Sequence, residues 1–250
     1  MFFEDKLISI ISPVYFGEKV IAELIKKIHR SLDELNLHYE IILADDGSTD
    51  ASWETIAGIV EQDHTLTGIK LDKNYGQHAA ILAGIENAKG DFIIVMDCDL
   101  QDPPEEIHKL INAAGENTDI VFALRDKSWQ PFLKRFYSIL FYFFLSLLTG
   151  HRFRSRTSNF GLYRKAIIQQ ALKSDRGYFV LPVAVRKFSK KIKYVEVGFN
   201  RDSLRPSSYN FIKAFKLAIK ILAAQINLFG FRKTNRQKYV ISELKKHPAA

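Results

Sequence analysis

An α/β fold, with a mainly parallel central sheet flanked by helices, is predicted by two features of this sequence: short apolar runs alternate with helical periods, and polar clusters directly follow the runs. Leu7 to Val14 (LISIISPV) is a β-branched run closed by Pro13, the composition of a strand buried on both faces. Val20, Ile21, Leu24, Ile25, Ile28, Leu32 and Leu35 then share one helical stripe. Tyr39 to Ala44 (YEIILA) reads as a second strand and Ser52 to Gln62 as a second helix, with Asp50 or Ser52 suited to cap it. Thr67 to Leu71 reads as a third strand, His78 to Ala88 as a helix, and Asp91 to Met96 (DFIIVM) as a fourth strand. Pro103 and Pro104 with Glu105 and Glu106 suit the first turn of another helix, where a missing N–H costs nothing and acids meet the positive end of the dipole. Asp119 to Leu124 (DIVFAL) reads as a fifth strand. Open sheets of this kind bind ligands beyond the carboxyl ends of their strands, so the polar runs after Val14, Ala44 and Met96 are expected to line one crevice.

The length of 250 residues, with 47% hydrophobic and 26% charged residues, implies one main domain over residues 1–205 and an appendage over 206–250, and argues against disorder. The single cysteine, Cys98, excludes an internal disulfide framework and a thiolate zinc cluster, which fits a reducing compartment. MFFEDKLISI has neither the basic region nor the long apolar region of a secretory signal, so a cytoplasmic location is expected. The formal charge of +8 implies an anionic partner. Acids outnumber bases 23 to 9 up to Leu124, and Lys and Arg outnumber acids 27 to 5 from Arg125 onward, dividing the main domain into halves at 1–124 and 125–205.

Two stretches of the second half suit a membrane surface. Phe136 to Leu148 (FYSILFYFFLSLL), between Lys134 and Arg135 and the basic residues after it, is shorter than the ~20 residues needed to span a bilayer. Tyr209 to Phe229 puts Phe211, Ile212, Phe215, Ile219 and Leu222 on one face, with lysines at its edge, the pattern of an amphipathic interfacial helix. The tail from Arg232 to Ala250 is polar.

The strongest chemical signal is DCDLQDPPE, Asp97 to Glu105. Residues two apart in a strand continuation project to one side, so Asp97 and Asp99 can face one ion. Two hard oxygen donors suit Mg²⁺ or Mn²⁺ bridging a diphosphate, with Gln101 able to add an amide oxygen. Neither GxGxxG nor GxxxxGK[ST] occurs, which removes the common dinucleotide and nucleoside-triphosphatase readings. His108 and His151 have no partner at ligand spacing, and Trp129 with its neighbouring aromatics lacks a basic groove or nucleic-acid motif, so no nucleic-acid partner is expected.

From Ile8 to Tyr209 the sequence resembles the family-2 glycosyltransferases of the GT-A fold, particularly the branch of dolichol-phosphate mannose synthases and bacterial undecaprenyl-phosphate sugar transferases. The resemblance makes Asp97, Asp99 and Gln101 metal ligands, with Cys98 where alanine is usual. SPVYFGE resembles the family's opening motif, so Pro13, Tyr15 and Glu18 would line the nucleotide pocket, with Gly17 in place of an asparagine. ADDGSTD resembles the loop whose acids contact base and ribose, giving Asp45 and Asp46, and carboxylates accept hydrogen bonds from base N–H or ribose hydroxyls. KNYGQHAA would bring Lys73, Asn74 and Gly76 close to the diphosphate.

The same resemblance implies that Arg125, Arg135 and Ser138 receive an acceptor phosphate, and that Arg201, Arg205 and Ser207 in RDSLRPSSYNF close over the diphosphate and acceptor phosphate. Arginine's planar fork suits phosphate oxygens, and the apolar run beginning at Phe136 suits a polyprenyl chain attached to that phosphate. At RTSNFGLYRK, Arg156 and Gly161 stand where relatives carry an aspartate and an arginine, so no catalytic aspartate is placed. A phosphate oxygen is already ionised and can attack directly, whereas a sugar hydroxyl needs a base. The implied activity is an inverting, metal-dependent transfer from a nucleotide-diphospho-sugar, UDP favoured by Asp45 and Asp46, to a polyprenyl phosphate in cell-envelope polysaccharide synthesis, with residues 1–124 as donor half and 125–205 as acceptor half. The enzyme is expected at the inner membrane face, through its amphipathic segments or a membrane protein, and as a possible homo-oligomer. One alternative is transfer to a sugar hydroxyl with Asp102, Asp126 or Asp175 as base; another is a nucleotide-sugar-binding protein without activity.

Overall fold

The structure, a computed structural model, describes residues 2–125, 146, 154, 156–174, 179–200 and 239–248. Arg135, Ser138, Arg201, Arg205, Ser207, Asp126, Asp175, Trp129, His151, the segment from Tyr209 to Phe229 and, Ser146 apart, the run from Phe136 to Leu148 lie outside the described residues.

Eight strands form one mixed sheet. They are β1 (Leu7–Val14), β2 (His38–Asp45), β3 (Leu66–Leu71), β4 (Phe92–Val95), β5 (Ile120–Arg125), β6 (Thr157–Arg164), β7 (Ile192–Val197) and β8 (Ile241–Lys246), in the order β7-β5-β6-β4-β1-β2-β3-β8. The central β4-β1-β2-β3 pairs are parallel, with Ile8 opposite Phe92 and Val14 opposite Asp45. The β5–β7 pair is parallel as well, while β6 runs antiparallel to both β4 and β5, and β8 antiparallel to β3. Two antiparallel steps restore direction, so β1, β2, β3, β4, β5 and β7 all present their carboxyl ends at one edge.

The helices are α1 (Ile21–Asp33), α2 (Ser52–Val60), α3 (Gln77–Asn87), α4 (Ile107–Ala113), α5 (Lys165–Ser174) and α6 (Leu181–Ala184). The periodic stripe of α1 is the buried one: Ile21, Leu24, Ile25, Ile28 and Leu32 join Trp53 and Ile56 of α2 and Ile107 and Leu110 of α4 over one face of the sheet. The other face is covered by α3, buried continuously from Ala79 to Ile85, with Ile167 and Ile168 of α5 and Leu181 of α6. Strand residues such as Ile8, Ile10, Ile11 and Ile42 are fully buried between these layers. Each such side chain contributes roughly 1.5–3 kcal/mol by leaving water.

Three elements differ from the sequence expectation. Ser52 lies inside α2 instead of capping it, and the Asp50 carboxylate accepts the Ser52 N–H at 3.2 Å. Strand β6 inserts between β4 and β5 and pairs with β4 across more than 60 residues, which no local pattern encodes. Within the tail expected only to be polar, β8 joins the sheet, so residues on both sides of position 205 build one layer. It is held there by side chains: the buried Trp53 indole N–H donates to Glu243 at 3.0 Å, and Lys245 pairs with Glu61 at 2.6 Å. Glu243→Ala leaves that indole donor without its acceptor and is expected to cost about 1–2 kcal/mol in urea denaturation. An unchanged midpoint would show that β8 is held by its backbone ladder alone.

Candidate active site

Sheet order reverses between β1 and β4, and the crevice beyond their carboxyl ends is where open α/β sheets bind ligands. On the β1–β2 side, two serine relays lock the loop after β1 to the loop after β2. The Phe16 N–H donates to Ser48 Oγ at 3.1 Å, whose hydroxyl donates to Asp45; the Gly17 N–H donates to Ser52 Oγ at 2.8 Å, whose hydroxyl donates to Asp50 at 2.5 Å. Tyr15 is 48% exposed and packs edge-on against Phe16, with ring centroids 4.4 Å apart. Pro13 is buried within β1 opposite Ala44. Glu18 accepts the Ala51 N–H at 3.0 Å through one carboxylate oxygen, beside the start of α2.

Asp46, 2% exposed, accepts the N–H groups of Tyr75 at 2.7 Å and Gly76 at 2.8 Å. It thereby fixes the loop that carries Lys73, Asn74 and Gly76 against the DDGSTD loop. Lys73 and Asn74 are exposed, with the Lys73 ammonium over the Tyr75 ring, and Gly76 adopts a φ of +96° just before α3. The start of that helix therefore faces the crevice with a positive dipole end.

Burial pushes the Asp46 carboxyl up to about 6; the two N–H bonds pull it down and the Asp45 charge pushes it further up. With its folded pKa above the ~3.9 of an unfolded aspartate, Asp46 binds more protons in the folded state. Its contribution is therefore present below pH ~4 and is lost as pH rises through about 6. Unfolding free energy measured from pH 4 to 7 is expected to fall less steeply in Asp46→Asn than in the wild type, and parallel profiles would refute the assignment.

On the β4 side the chain leaves the strand at Val95, before the acid pair. Strand alternation is therefore not what brings Asp97 and Asp99 together; a turn does, with Leu100 left-handed at φ +59° and the Gln101 N–H donating to Asp99 Oδ1 at 3.1 Å. Asp97 accepts from Gln77 Nε2 of α3 at 2.5 Å and from the Asn159 side chain of β6. Burial raises the Asp97 carboxyl above the usual aspartate range, against the pull of Arg125 and with the push of Asp99. Cys98 is half-buried.

Arg125, at the end of β5, forms a two-pronged ion pair with Asp102, Nε to Oδ1 at 2.6 Å and Nη2 to Oδ2, and Nη2 also lies 3.6 Å from Asp97 Oδ2. Burial alone would lower the Arg125 pKa, and the Asp102 carboxylate more than offsets it. Asp102 is fully buried with both oxygens on this guanidinium, which removes it as a base for a hydroxyl acceptor. The structure thus brings together Asp45, Asp46, Gly76, Asp97, Asp99, Gln101 and Arg125 at one edge of the sheet. Gln77, Asn159 and the Asp102 partnership were missed from sequence, although all three stand within motifs that drew notice there.

Among the described residues no three His, Cys, Asp or Glu side chains converge to hold a metal. Two adjacent carboxylates are nonetheless what Mg²⁺ or Mn²⁺ requires in a nucleotide site, where substrate phosphates and water complete the oxygen shell. The Asp99 charge adds to the upward push of burial on the Asp97 carboxyl, so the two acids stand close enough to repel each other.

A model of the family described as Glycosyl transferase family 2 matches residues 9–172. Two relatives, from Aeromonas hydrophila subsp. hydrophila and Shewanella sediminis, both called undecaprenyl-phosphate 4-deoxy-4-formamido-L-arabinose transferase, are 36% and 34% identical over 85% and 87% of this chain. The chain spans 65% and 66% of their lengths. Among solved structures, mannosyl-3-phosphoglycerate synthase from Rubrobacter xylanophilus superposes with a TM-score of 0.64 at 14% identity, over 88% of this chain and 72% of that one. Glucosyl-3-phosphoglycerate synthase from Mycobacterium tuberculosis, in complex with Mn²⁺, uridine diphosphate and glucosyl-3-phosphoglycerate, superposes at 0.58 with 15% identity, over 91% and 81%. These likenesses establish the GT-A fold, and with the family match over β1 to β6 and their acidic edge, this chain belongs to glycosyl transferase family 2.

Proposed function

We propose that this protein transfers a sugar from a nucleotide-diphospho-sugar, UDP favoured, to a polyprenyl phosphate, with inversion at the sugar carbon. The observation that carries the reading is the meeting of a carboxylate pair, Asp97 and Asp99, with the guanidinium of Arg125 in one crevice. One pole suits a cation-bound diphosphate and the other an anionic acceptor. The names of the relatives, undecaprenyl-phosphate sugar transferases, support the same acceptor class.

Each residue then has a task. Tyr15 and the Asp45–Asp46 loop receive the nucleoside, and the start of α3 with Gln77 faces the diphosphate. Asp97, Asp99 and Gln101 would hold Mg²⁺ or Mn²⁺, which when bound neutralises charge growing on the leaving diphosphate. Arg125 orients the acceptor phosphate, whose ionised oxygen forms the new bond to the sugar carbon as the bond to the diphosphate breaks and its electron pair leaves with the nucleoside diphosphate. Attack from the face opposite the leaving group inverts that carbon. No side chain has to remove a proton, consistent with the pairing of Asp102.

No helix among the described residues is long and apolar enough to cross a membrane. Contact with the inner membrane face would come from the Phe136–Leu148 and Tyr209–Phe229 stretches or a membrane partner. The test is incubation with undecaprenyl phosphate, Mn²⁺ and a panel of radiolabelled nucleotide sugars. Label extracted into organic solvent with at least one donor is expected. Absence of lipid label with every donor sinks the reading, and label confined to water-soluble glycan points to a hydroxyl acceptor.

A further inference from the structure

The pair between Asp102 and Arg125 has a geometry that exceeds ordinary support. Asp102 has no exposed side-chain surface and uses both oxygens on one guanidinium. The fork occupies Nε and one N–H of Nη2, leaving both N–H groups of Nη1 outside it. The guanidinium lies over the Phe199 ring, 5.4 Å from its centroid, and the Arg125 backbone is clamped by reciprocal 3.0 Å bonds with Arg156. The Asp102 turn is itself tied to the end of β7, through the Asn200 N–H to the Gln101 carbonyl at 2.9 Å and the Gly198 N–H to Glu106 at 3.0 Å.

This rigidity matters because of what lies next to it. Nη2 is 3.6 Å from Asp97, and Asp99 adds a second negative charge beside Asp97. Opposite charges at such distances attract strongly in a partly buried site. Without a stronger claim on it, Arg125 would settle on the acid pair, filling the place of a cation and withdrawing its donors from any phosphate.

We propose that Asp102 is a positioning residue that takes the fork of Arg125 and limits its hold on the acid pair to the single 3.6 Å approach of Nη2 to Asp97, so that a divalent cation can claim the carboxylates and an acceptor phosphate the rest of the guanidinium; this rests on the transferase reading above. The distinctive consequence is that removing Asp102 harms cation binding only while Arg125 is present. Free Mn²⁺ is measured by electron paramagnetic resonance during titration of the full chain with UDP present, alongside thermal denaturation of each variant.

Asp102→Asn is expected to weaken Mn²⁺ about tenfold, a shift of the size one lost charge interaction gives. The double variant Asp102→Asn with Arg125→Gln should return to within about twofold of Arg125→Gln alone. Affinity in the double variant as poor as in Asp102→Asn overturns the proposal, because a merely structural aspartate would not be rescued. Should Asp102→Asn not fold, Arg125→Lys decides: lysine cannot make the fork, so its ammonium is expected on Asp97 and its Mn²⁺ affinity below that of Arg125→Gln. Equal affinities for those two variants overturn the proposal as well. A wild type that folds yet takes up no Mn²⁺ with UDP removes the transferase reading and this proposal with it, whereas wild-type binding unaltered in Asp102→Asn removes the proposal alone.

Discussion

Asp99→Ala is expected to lower the sugar-transfer rate by about 10²–10³-fold at saturating donor and acceptor, the usual loss when one preorganised electrostatic group is removed from a reacting centre. Asp99 supplies one of two carboxylates, and its turn is closed by the Gln101 N–H at 3.1 Å, so truncation deletes a donor and loosens the segment that carries Gln101. Asp97→Ala should be at least as damaging, since Asp97 is tied to α3 through Gln77, to β6 through Asn159 and to Arg125. Stability should change little in Asp99→Ala, because removing one of two adjacent like charges relieves repulsion. Initial rates at a series of Mn²⁺ concentrations, with thermal denaturation as control, test this. Activity within threefold of wild type at every Mn²⁺ concentration would end the metal assignment.

Gly47→Ala should nearly abolish donor binding by adding one methyl group. Gly47 has φ +66°, and a Cβ there would stand 2.4 Å from the Lys73 carbonyl carbon, 2.6 Å from Lys73 Cα and 2.8 Å from the Asn74 nitrogen. All three are backbone atoms, so no side chain can rotate away. The two loops must part, breaking the bonds from Tyr75 and Gly76 to Asp46 and moving the start of α3. The left-handed backbone costs about 1–2 kcal/mol for a residue bearing Cβ, and overpacking about 1–3 kcal/mol more. A loss of roughly 2–4 kcal/mol in unfolding free energy is expected, with UDP affinity by calorimetry lowered at least about thirtyfold, the equivalent of roughly 2 kcal/mol. Gly58 of α2 is the contrast: nothing lies within 4 Å of a Cβ there, and Gly58→Ala should stabilise by about 0.5–1 kcal/mol. UDP affinity in Gly47→Ala equal to wild type would show that the two loops move independently of the site.

Gly47 and the acid pair are legible in the sequence to different degrees. DDGSTD and DCDLQDPPE are legible as motifs because turn chemistry and charge are local, and β1 to β5 are legible because their apolar runs are continuous. The role of Gly47 is not, since nothing in DDGSTD says that Lys73 will lie against it. The bond from the Ala51 N–H to Glu18 is not legible either, because a carboxylate reads the same in sequence whether it meets a ligand or a helix start. Strand β6 escaped because TSNFGLYR mixes polar and apolar residues without a clean period, and its burial comes from partners far away in sequence. The tail strand β8 is mostly exposed at the sheet edge, so no hydrophobic pattern announces it.

By itself the sequence determined the alternation of strands and helices, the polarity of the strand ends and the chemical character of the acid pair, since each depends on residues within one or two turns of chain. Tertiary structure alone decided that β6 carries Asn159 to Asp97, that β5 delivers Arg125 to Asp102, and that a tail strand completes the edge. Those contacts join residues 23 to 190 positions apart. Which charge faces which across such a distance is set by the packing of whole layers, and no local pattern of residues records it.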